Sequence, residues 1–469
     1  MLVRIFSGSI LLCSLFSNAQ QKIVGGGSHT FIICEDSSGN TWGANYSGQL
    51  GNGTTTTTGS PVAVTTIGGI EAVAAGWEHS MALLNDGTVW AWGENSYGQL
   101  GDSSTVDRYD PVKVKVISDI TSISWGHIHT HSLAVKSDGS VWAWGYNPTG
   151  KLGDNTLVSK DAPIQVHGLS NVGFLSNIIA VAGGHDFSLA LEDDGTAWAW
   201  GANGFGQLGD GTTTQRITPV PVVSLTNATA IVVGDWHSMA LKDDGTVWTW
   251  GYGGGGRLGI NSMVSSSSPV QVHGYNDVGF LTDVVKIAAG ETFCLVLKSD
   301  GTVWGWGRND VGQLGDGTAI DRWTPIQIPG LSDVVEIGAG ARHSVVLKSD
   351  GTVWTFGDNG YGQLGDGTLT NSFDPIQVVG HCDMPSTTGA GIKNSEEEVF
   401  GVFPNPTDGK FTMGSLEGTL TICNLAGEVI VSSITSNSEL MDISGFPAGM
   451  YLLTLSTETG IFQQRLLLR

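Results

Sequence analysis

The sequence predicts an all-β protein: a seven-bladed β-propeller followed by a small β-sandwich. Three observations predict it. A Gly-x-Leu-Gly signature recurs at Leu50, Leu100, Leu152, Leu208, Leu258, Leu314 and Leu364. Each copy follows a version of one run, clearest as HSMALLNDGTVWAWG from His79 to Gly93, and precedes a Pro-Val or Pro-Ile segment, from Pro61-Val62 to Pro375-Ile376. The composition, with 69 Gly and 16 Trp in 469 residues and only 14% charged, is that of a turn-rich β protein. A β-type unit of about 50 residues, repeated seven times, marks a propeller.

Taken from the start, the chain opens with MLVRIFSGSILLCSLFSNAQQ. Arg4, an apolar run over 5–16 and the small-residue site Ser17-Asn18-Ala19 follow the plan of a secretory signal peptide, which predicts a leader over 1–19 and a mature start near Gln20. The apolar run is too short to span a bilayer, and no other segment is long and apolar enough to do so. Leu12 before Cys13 argues against a lipoprotein. The remaining cysteines, Cys34, Cys294, Cys382 and Cys423, are too scattered for a disulfide framework or a CxxC zinc site. One bridge stays open in an exported chain, Cys34 to Cys382 at the two ends of the repeats.

Each repeat run reads as a hairpin about a two-residue Asp86-Gly87 turn. Pairing outward from that turn sets Leu83 opposite Trp90 and Met81 opposite Trp92 on one face, with Ala82, Ala91, Ser80 and Gly93 on the other. Such a sheet, bulky on one side and small on the other, stacks on a copy of itself, and a closed stack has no uncovered end. Burial of each tryptophan contributes on the order of 2–3 kcal/mol. The loop GENSYGQLGD, 93–102, uses its glycines and Asn to turn tightly after the hairpin. The first copy is degraded, with Asn40 for the first Trp and Ser37 for the turn Gly, as a terminal repeat would be. The segment 375–379 is expected to meet that first copy and close the ring.

The combination of HSxAL, DGxVWxWG, N-x-x-GQLGDG and PxxV resembles the repeat of the regulator of chromosome condensation family, over residues 20–382. That resemblance implies seven repeats forming a seven-bladed propeller. The best-known member of that family is an exchange factor for a nuclear GTPase, and a secreted bacterial relative inhibits β-lactamases. Neither activity transfers: an exported chain meets no cytosolic GTPase, and a net charge of −23 repels chromatin, nucleic acid and anionic membrane surfaces alike.

Beyond the repeats, a linker is expected over 383–397, in the small, polar and charged stretch that includes PSTTGAGIKNSEE. Alternating segments between Asn-Pro and Gly turns then predict a domain over 398–469. It resembles the C-terminal sorting domain of the type nine secretion system of Bacteroidetes, through Pro404-Asn405-Pro406, the Gly-Glu-Val turn at Gly427, the Gly449 to Tyr451 segment and the basic Arg469. The resemblance implies passage through the periplasm and across the outer membrane, with secretion machinery as a partner and a secreted or surface location.

Several motifs imitate catalysis. GYNPTGKLG, from Gly145, nearly matches a phosphate loop, yet Leu152 replaces the magnesium-holding Ser or Thr, and the string is the third GQLG with Lys151 for Gln. The turn acids from Asp86 to Asp350 recur because the turn wants Asp. The repeated His79, His131, His237 and His343 alternate with Phe187 and Phe293 at the same position, which no metal site would tolerate. Cys294 aligns with Ser238 and reads as a packing residue. WGHIHTHS is an insertion whose His127, His129 and His131 suit zinc, nickel or copper, with no carboxylate placed beside them. No catalytic set and no cofactor are expected.

Variation among the copies is more informative. If His79 lies opposite Glu94, the residues before the repeat His and after the Trp-Gly share one rim. There the copies differ: Trp77, Glu78, Glu94 and Tyr97 in one region, His127 and His129 in the next, then Asp186, Asp235, Trp236, Glu291, Arg342 and Tyr361. Variable aromatic and charged loops on a rigid scaffold are where binding evolves. The expectation is an exported, non-enzymatic recognition module that binds a protein or glycan through one face. A secreted inhibitor or adhesin of the same build, and a polysaccharide-acting enzyme with a cleft on the axis, are the alternatives.

Overall fold

A computed structural model describes residues 22–126 and 131–382 and, further along, the backbone of seven strands between Val402 and Leu468. The chain divides into two compact units, one spanning Asn18–Met384 and the other containing Pro385–Arg469. The expected leader, the linker, His127, His129, Pro404, Asn405, Pro406 and Arg469 lie outside the described residues.

The larger unit is a seven-bladed propeller of four-stranded antiparallel sheets. The first blade is β1 (Ile23–Gly25), β2 (His29–Ile33), β3 (Gly39–Gly43) and β4 (Thr58–Ala63). The second is β5 (Ile70–Ala75), β6 (His79–Leu84), β7 (Val89–Gly93) and β8 (Arg108–Lys113). Five further blades occupy 120–165, 178–221, 228–271, 284–327 and 334–377. First strands of neighbouring blades touch, so they line the axis. Successive strands run antiparallel. The loops between first and second strands (inner loops) and between third and fourth (outer loops) therefore share one face, here the upper face; hairpin turns and inter-blade connections share the lower.

The hairpin register differs from the sequence expectation by one residue. Leu83 pairs with Val89, Ala82 with Trp90, Met81 with Ala91 and Ser80 with Trp92, so His79 lies opposite Gly93 and not Glu94. The cause is the turn. Leu84 N donates to Thr88 O and Gly87 N to Leu84 O, both at 2.9 Å, which makes Asn85-Asp86-Gly87 a three-residue loop with Gly87 at φ +74°. In the first copy Ser37 holds the same left-handed conformation at φ 63°. One side of the hairpin therefore combines Trp90 and Trp92 with Ala82 and Ser80, and the other combines Met81, Leu83, Val89 and Ala91. The first side packs on Phe31 of the preceding blade, the second on Trp144 and Ala134 of the following one.

Six indoles, Trp42, Trp92, Trp144, Trp200, Trp250 and Trp306, are fully buried at these seams, and Phe356 fills the seventh place. Each lies on the closing glycine of the preceding Gly-x-Leu-Gly loop. A Cβ on Gly51 would stand 2.6 Å from Trp92 Nε1, and Gly51 has φ +65°. Trp92 Nε1 and Ser80 Oγ both donate to Gln49 O, at 2.9 and 2.8 Å. The recurrent loop is thus the socket for the next blade. Its Asn locks it: Asn95 Oδ1 accepts from Leu100 N at 2.9 Å while Nδ2 donates to Val106 O at 3.1 Å.

Ring closure also departs from expectation. Ser372–Gln377 pairs with Val353–Gly357 inside its own blade, and β1 supplies the inner strand of the first. The closing seam uses the same socket as the others: Trp42 Nε1 and Thr30 Oγ1 donate to Gln363 O at 2.9 and 2.8 Å. Val378 does reach the first copy, joining Ile23, Ile32, Trp42, Val345 and Val353 in one cluster. Cys34 and Cys382 form a disulfide across the seam.

In the smaller unit, Val402–Phe403, Lys410–Met413 and Leu440–Asp442 form one antiparallel sheet. Gly418–Asn424, Val429–Thr435, Gly449–Ser456 and Ile461–Leu468 form another. Gly449 and Tyr451 open a strand and pair with Leu468 and Leu466.

Candidate binding face

The inner loops meet around the axis through a backbone belt. His185 N donates to Asp235 O, Asp235 N to Glu291 O, Glu291 N to Ala341 O, Ala341 N to Gly26 O, and Gly27 N to Gly76 O. The belt forms because each inner loop is a tight Gly-x-x turn: Gly234 N, for example, donates to His237 O at 2.9 Å. Beneath it runs a ring of buried repeat histidines. His29 and His131 bond Ser80 and Ser188 of the next blade at 2.8 Å, and His343 bonds Thr30 at 2.9 Å. Burial holds His131 well below the usual imidazole range, and its fully enclosed ring serves the seam to the next blade. Cys294 is likewise buried, 3.2 Å from His237, with burial pushing its thiol up. No group of three or more metal-binding side chains occurs among the described residues.

The other rim residues fall into three neighbourhoods. Over the second and third blades, Tyr97 is exposed and its ring lies 4.2 Å from that of Tyr146. Glu78 accepts from Ser47 Oγ at 2.8 Å, and Trp77 packs on Gly27. Burial, and then the Glu78 carboxylate, push Glu94 up. Over the first and seventh blades, Tyr361 meets Tyr46 edge-on at 5.6 Å, and Arg342 donates to Asp310 at 2.8 Å.

The third neighbourhood, over the fourth to sixth blades, is the richest. Phe205, Trp236 and Tyr252 form one aromatic cluster, with ring centroids 4.6 to 6.0 Å apart, and His185 lies 5.7 Å from Trp236. Lys151 is completely buried and pairs with Asp186 at 2.9 Å. Burial works to raise Asp186, but the hydrogen bond to His185 and the Lys151 ammonium hold its carboxyl well below the usual range. Arg257 lies over the Tyr252 ring at 4.7 Å. Asp235 is only 1% exposed, which corrects its expected place on the open rim, because the belt turns it inward against Glu291. Burial first, then the Glu291 carboxylate and a hydrogen bond to it, push Asp235 up to about 9.

A family model for the RCC1-like domain matches residues 119–397, and models of the regulator of chromosome condensation repeat match 41–83, 86–134 and 70–99. The chain belongs to the RCC1-like domain family. The ultraviolet-B receptor UVR8 of Arabidopsis thaliana is 27% identical over 199 residues, 42% of this chain and 44% of that protein. The human E3 ubiquitin-protein ligase HERC2 is 31% identical over 188 residues, 40% of this chain and 4% of that one. The RCC1-like match thus spans less than half the length of these relatives. Among solved structures, human WBSCR16 superposes with a TM-score of 0.62 at 24% identity, covering 72% of this chain and 92% of that one. Yeast RCC1 (Prp20), solved bound to Kap60, gives 0.63 at 21% identity, covering 86% and 93%. Both likenesses concern the fold. A model for the secretion system C-terminal sorting domain matches 401–469, so the RCC1-like propeller is one marked for export. No helix among the described residues is long and apolar enough to cross a membrane.

In the RCC1-like propeller two charged residues take a place the sequence did not assign them: Lys151 was weighed there only against a phosphate loop, and Arg257 was not singled out. Lys151 and Arg257 stand where Gln49, Gln99, Gln207, Gln313 and Gln363 occupy the other loops. That substitution was the available signal. It points inward to the belt and not to a bound phosphate: Lys151 Nζ contacts His185 O at 3.1 Å, and Arg257 a terminal nitrogen to Glu291 O at 3.4 Å.

Proposed function

We propose that the protein is an exported recognition module whose upper face binds a protein or glycan, delivered by its sorting domain through the periplasm to the outside of the cell. One observation supports this reading most: departures from the repeat that are far apart in sequence converge over the fourth to sixth blades. Phe205, Trp236 and Tyr252 offer rigid aromatic surface beside the charged groups of the belt, the composition favoured for interface anchors. An inhibitor or adhesin would use the same surface and differ only in partner.

The axial acids do not favour the enzyme alternative. Asp235 and Glu291 are hydrogen-bonded, whereas two-carboxylate glycoside hydrolysis needs about 5 Å or more between the groups. The test is recovery of partners from native surface extract, and binding to a glycan array, by the wild type and by a Phe205→Ala, Trp236→Ala double variant of equal thermal stability. Loss of specific binding in the variant supports the face; equal binding removes it.

A further inference from the structure

The two cations that replace Gln are used differently. Lys151 neutralises Asp186. Arg257 directs its bonds to backbone, from Nε to Gly254 O at 2.7 Å and from a terminal nitrogen to Glu291 O, and rests on Tyr252. No ion pair among the described residues joins Asp235 or Glu291 to a cation. Two polar atoms of the same corner, Asp235 Oδ1 and Thr292 Oγ1, are buried with no hydrogen bond. The place of Thr292 is informative. Three of its counterparts in other inner loops reach the outer loop of the preceding blade through a polar side chain: Glu78 to Ser47, Asp186 to Lys151, Arg342 to Asp310. Thr292, facing the outer loop that contains Arg257 and Tyr252, finds no partner there. Buried polar groups are ordinarily satisfied, so this corner carries unmet polar capacity directly beneath the reachable Glu291 carboxylate.

We propose that this corner receives a primary ammonium, the end of a lysine side chain on a basic segment of a partner protein, with Glu291 as its contact and Asp235 enclosed beside it. The inference rests on the upper face being the recognition face. Glu291 is half-buried and reachable, while Asp235 is closed off. At neutral pH the pair holds one proton and one negative charge between two carboxyl groups, because like charges this close do not both ionise. Asp186 adds to that negative field and Arg257 opposes it. An ammonium held at Glu291 offsets that carboxylate's charge, so the shared proton is released to solvent and both carboxyl groups ionise. Trp236 and Tyr252 give the aliphatic stem of the lysine an aromatic wall. The charge of the chain favours a basic partner over a neutral glycan: net −23 overall, with a second crowded carboxyl pair, Glu78 and Glu94, on the same face.

The test is titration calorimetry of the full exported chain with a short lysine peptide, blocked at both ends, and with the same peptide acetylated on the lysine. Each runs at pH 7 in two buffers of different ionisation enthalpy. The expected result is binding of the free lysine peptide with net proton release, and at least about tenfold weaker binding of the acetylated one. Glu291→Gln should cost about tenfold in affinity. Asp235→Asn, isosteric and unable to ionise, should remove the proton release. Equal binding of the two peptides, wild-type affinity in Glu291→Gln, or binding without proton release would overturn the proposal. So would binding of a neutral cello-oligosaccharide with no response to the lysine peptide. If the Phe205, Trp236 variant loses its partner while the lysine peptide stays silent, the face stands and the ammonium site falls.

Discussion

Removing the seam disulfide should be the most consequential single covalent change to the ring. Cys34 and Cys382 are 348 positions apart, so reduction releases almost the whole propeller from one closed loop. The chain-entropy relation for a loop of that length gives about 20 cal/mol/K, or about 6 kcal/mol at 25 °C. Spread over the unfolding entropy of about 360 residues, at about 2.1 cal/mol/K each, this becomes a fall in Tm of about 8 °C. The seam retains Trp42 in the Gln363 socket, the Ile23, Val345 and Val378 cluster, and the bond from Cys382 N to Asn40 Oδ1. The ring of a Cys34→Ala, Cys382→Ala variant should therefore still close, but open first at that place. Scanning calorimetry of oxidised wild type against the variant measures the shift, and amide exchange locates it. A Tm change below about 2 °C, or faster exchange spread evenly over all blades, would refute the reasoning, since the bond would then be constraining little.

Three further outcomes follow from the seams and the belt. Trp144→Phe should cost about 1–2 kcal/mol in denaturant unfolding, because Phe356 already fills this role in one blade, whereas Trp144→Ala should cost about 3–5 kcal/mol. Ser37→Gly should stabilise by about 0.5–1 kcal/mol, since Ser37 holds φ 63° where other blades place glycine. Asp235 is raised to about 9 in the fold, above its ordinary unfolded value near 4. Between those limits the unfolded chain ionises and the folded one does not, so Asp235 lowers stability as pH rises from 4 to 9. Asp235→Asn should gain on wild type across that window and match it below pH 4; a constant difference at every pH in thermal melts would contradict this.

Much of the architecture was legible because it is written in local, repeated chemistry. The period, the Asp-Gly turns and the Gly-x-Leu-Gly sockets each state a short-range preference, and seven statements of one preference determine a ring and, with the sorting tail, its export. The hairpin register escaped because two- and three-residue turns share the same Asp-Gly letters; only the Leu84 to Thr88 pairing distinguishes them. Closure by β1, and not by a returning final strand, depends on which apolar segment packs on Val345 and Val353, a choice among distant partners. The corner of Asp235, Glu291, Arg257 and Thr292 was decided by tertiary structure alone. Its members come from three loops, 34 to 56 positions apart for the bonded pairs, and their character comes from being withdrawn from water beside one another. Sequence specifies which groups a chain owns; desolvation and charge proximity, which set what those groups do, exist only once the ring has closed.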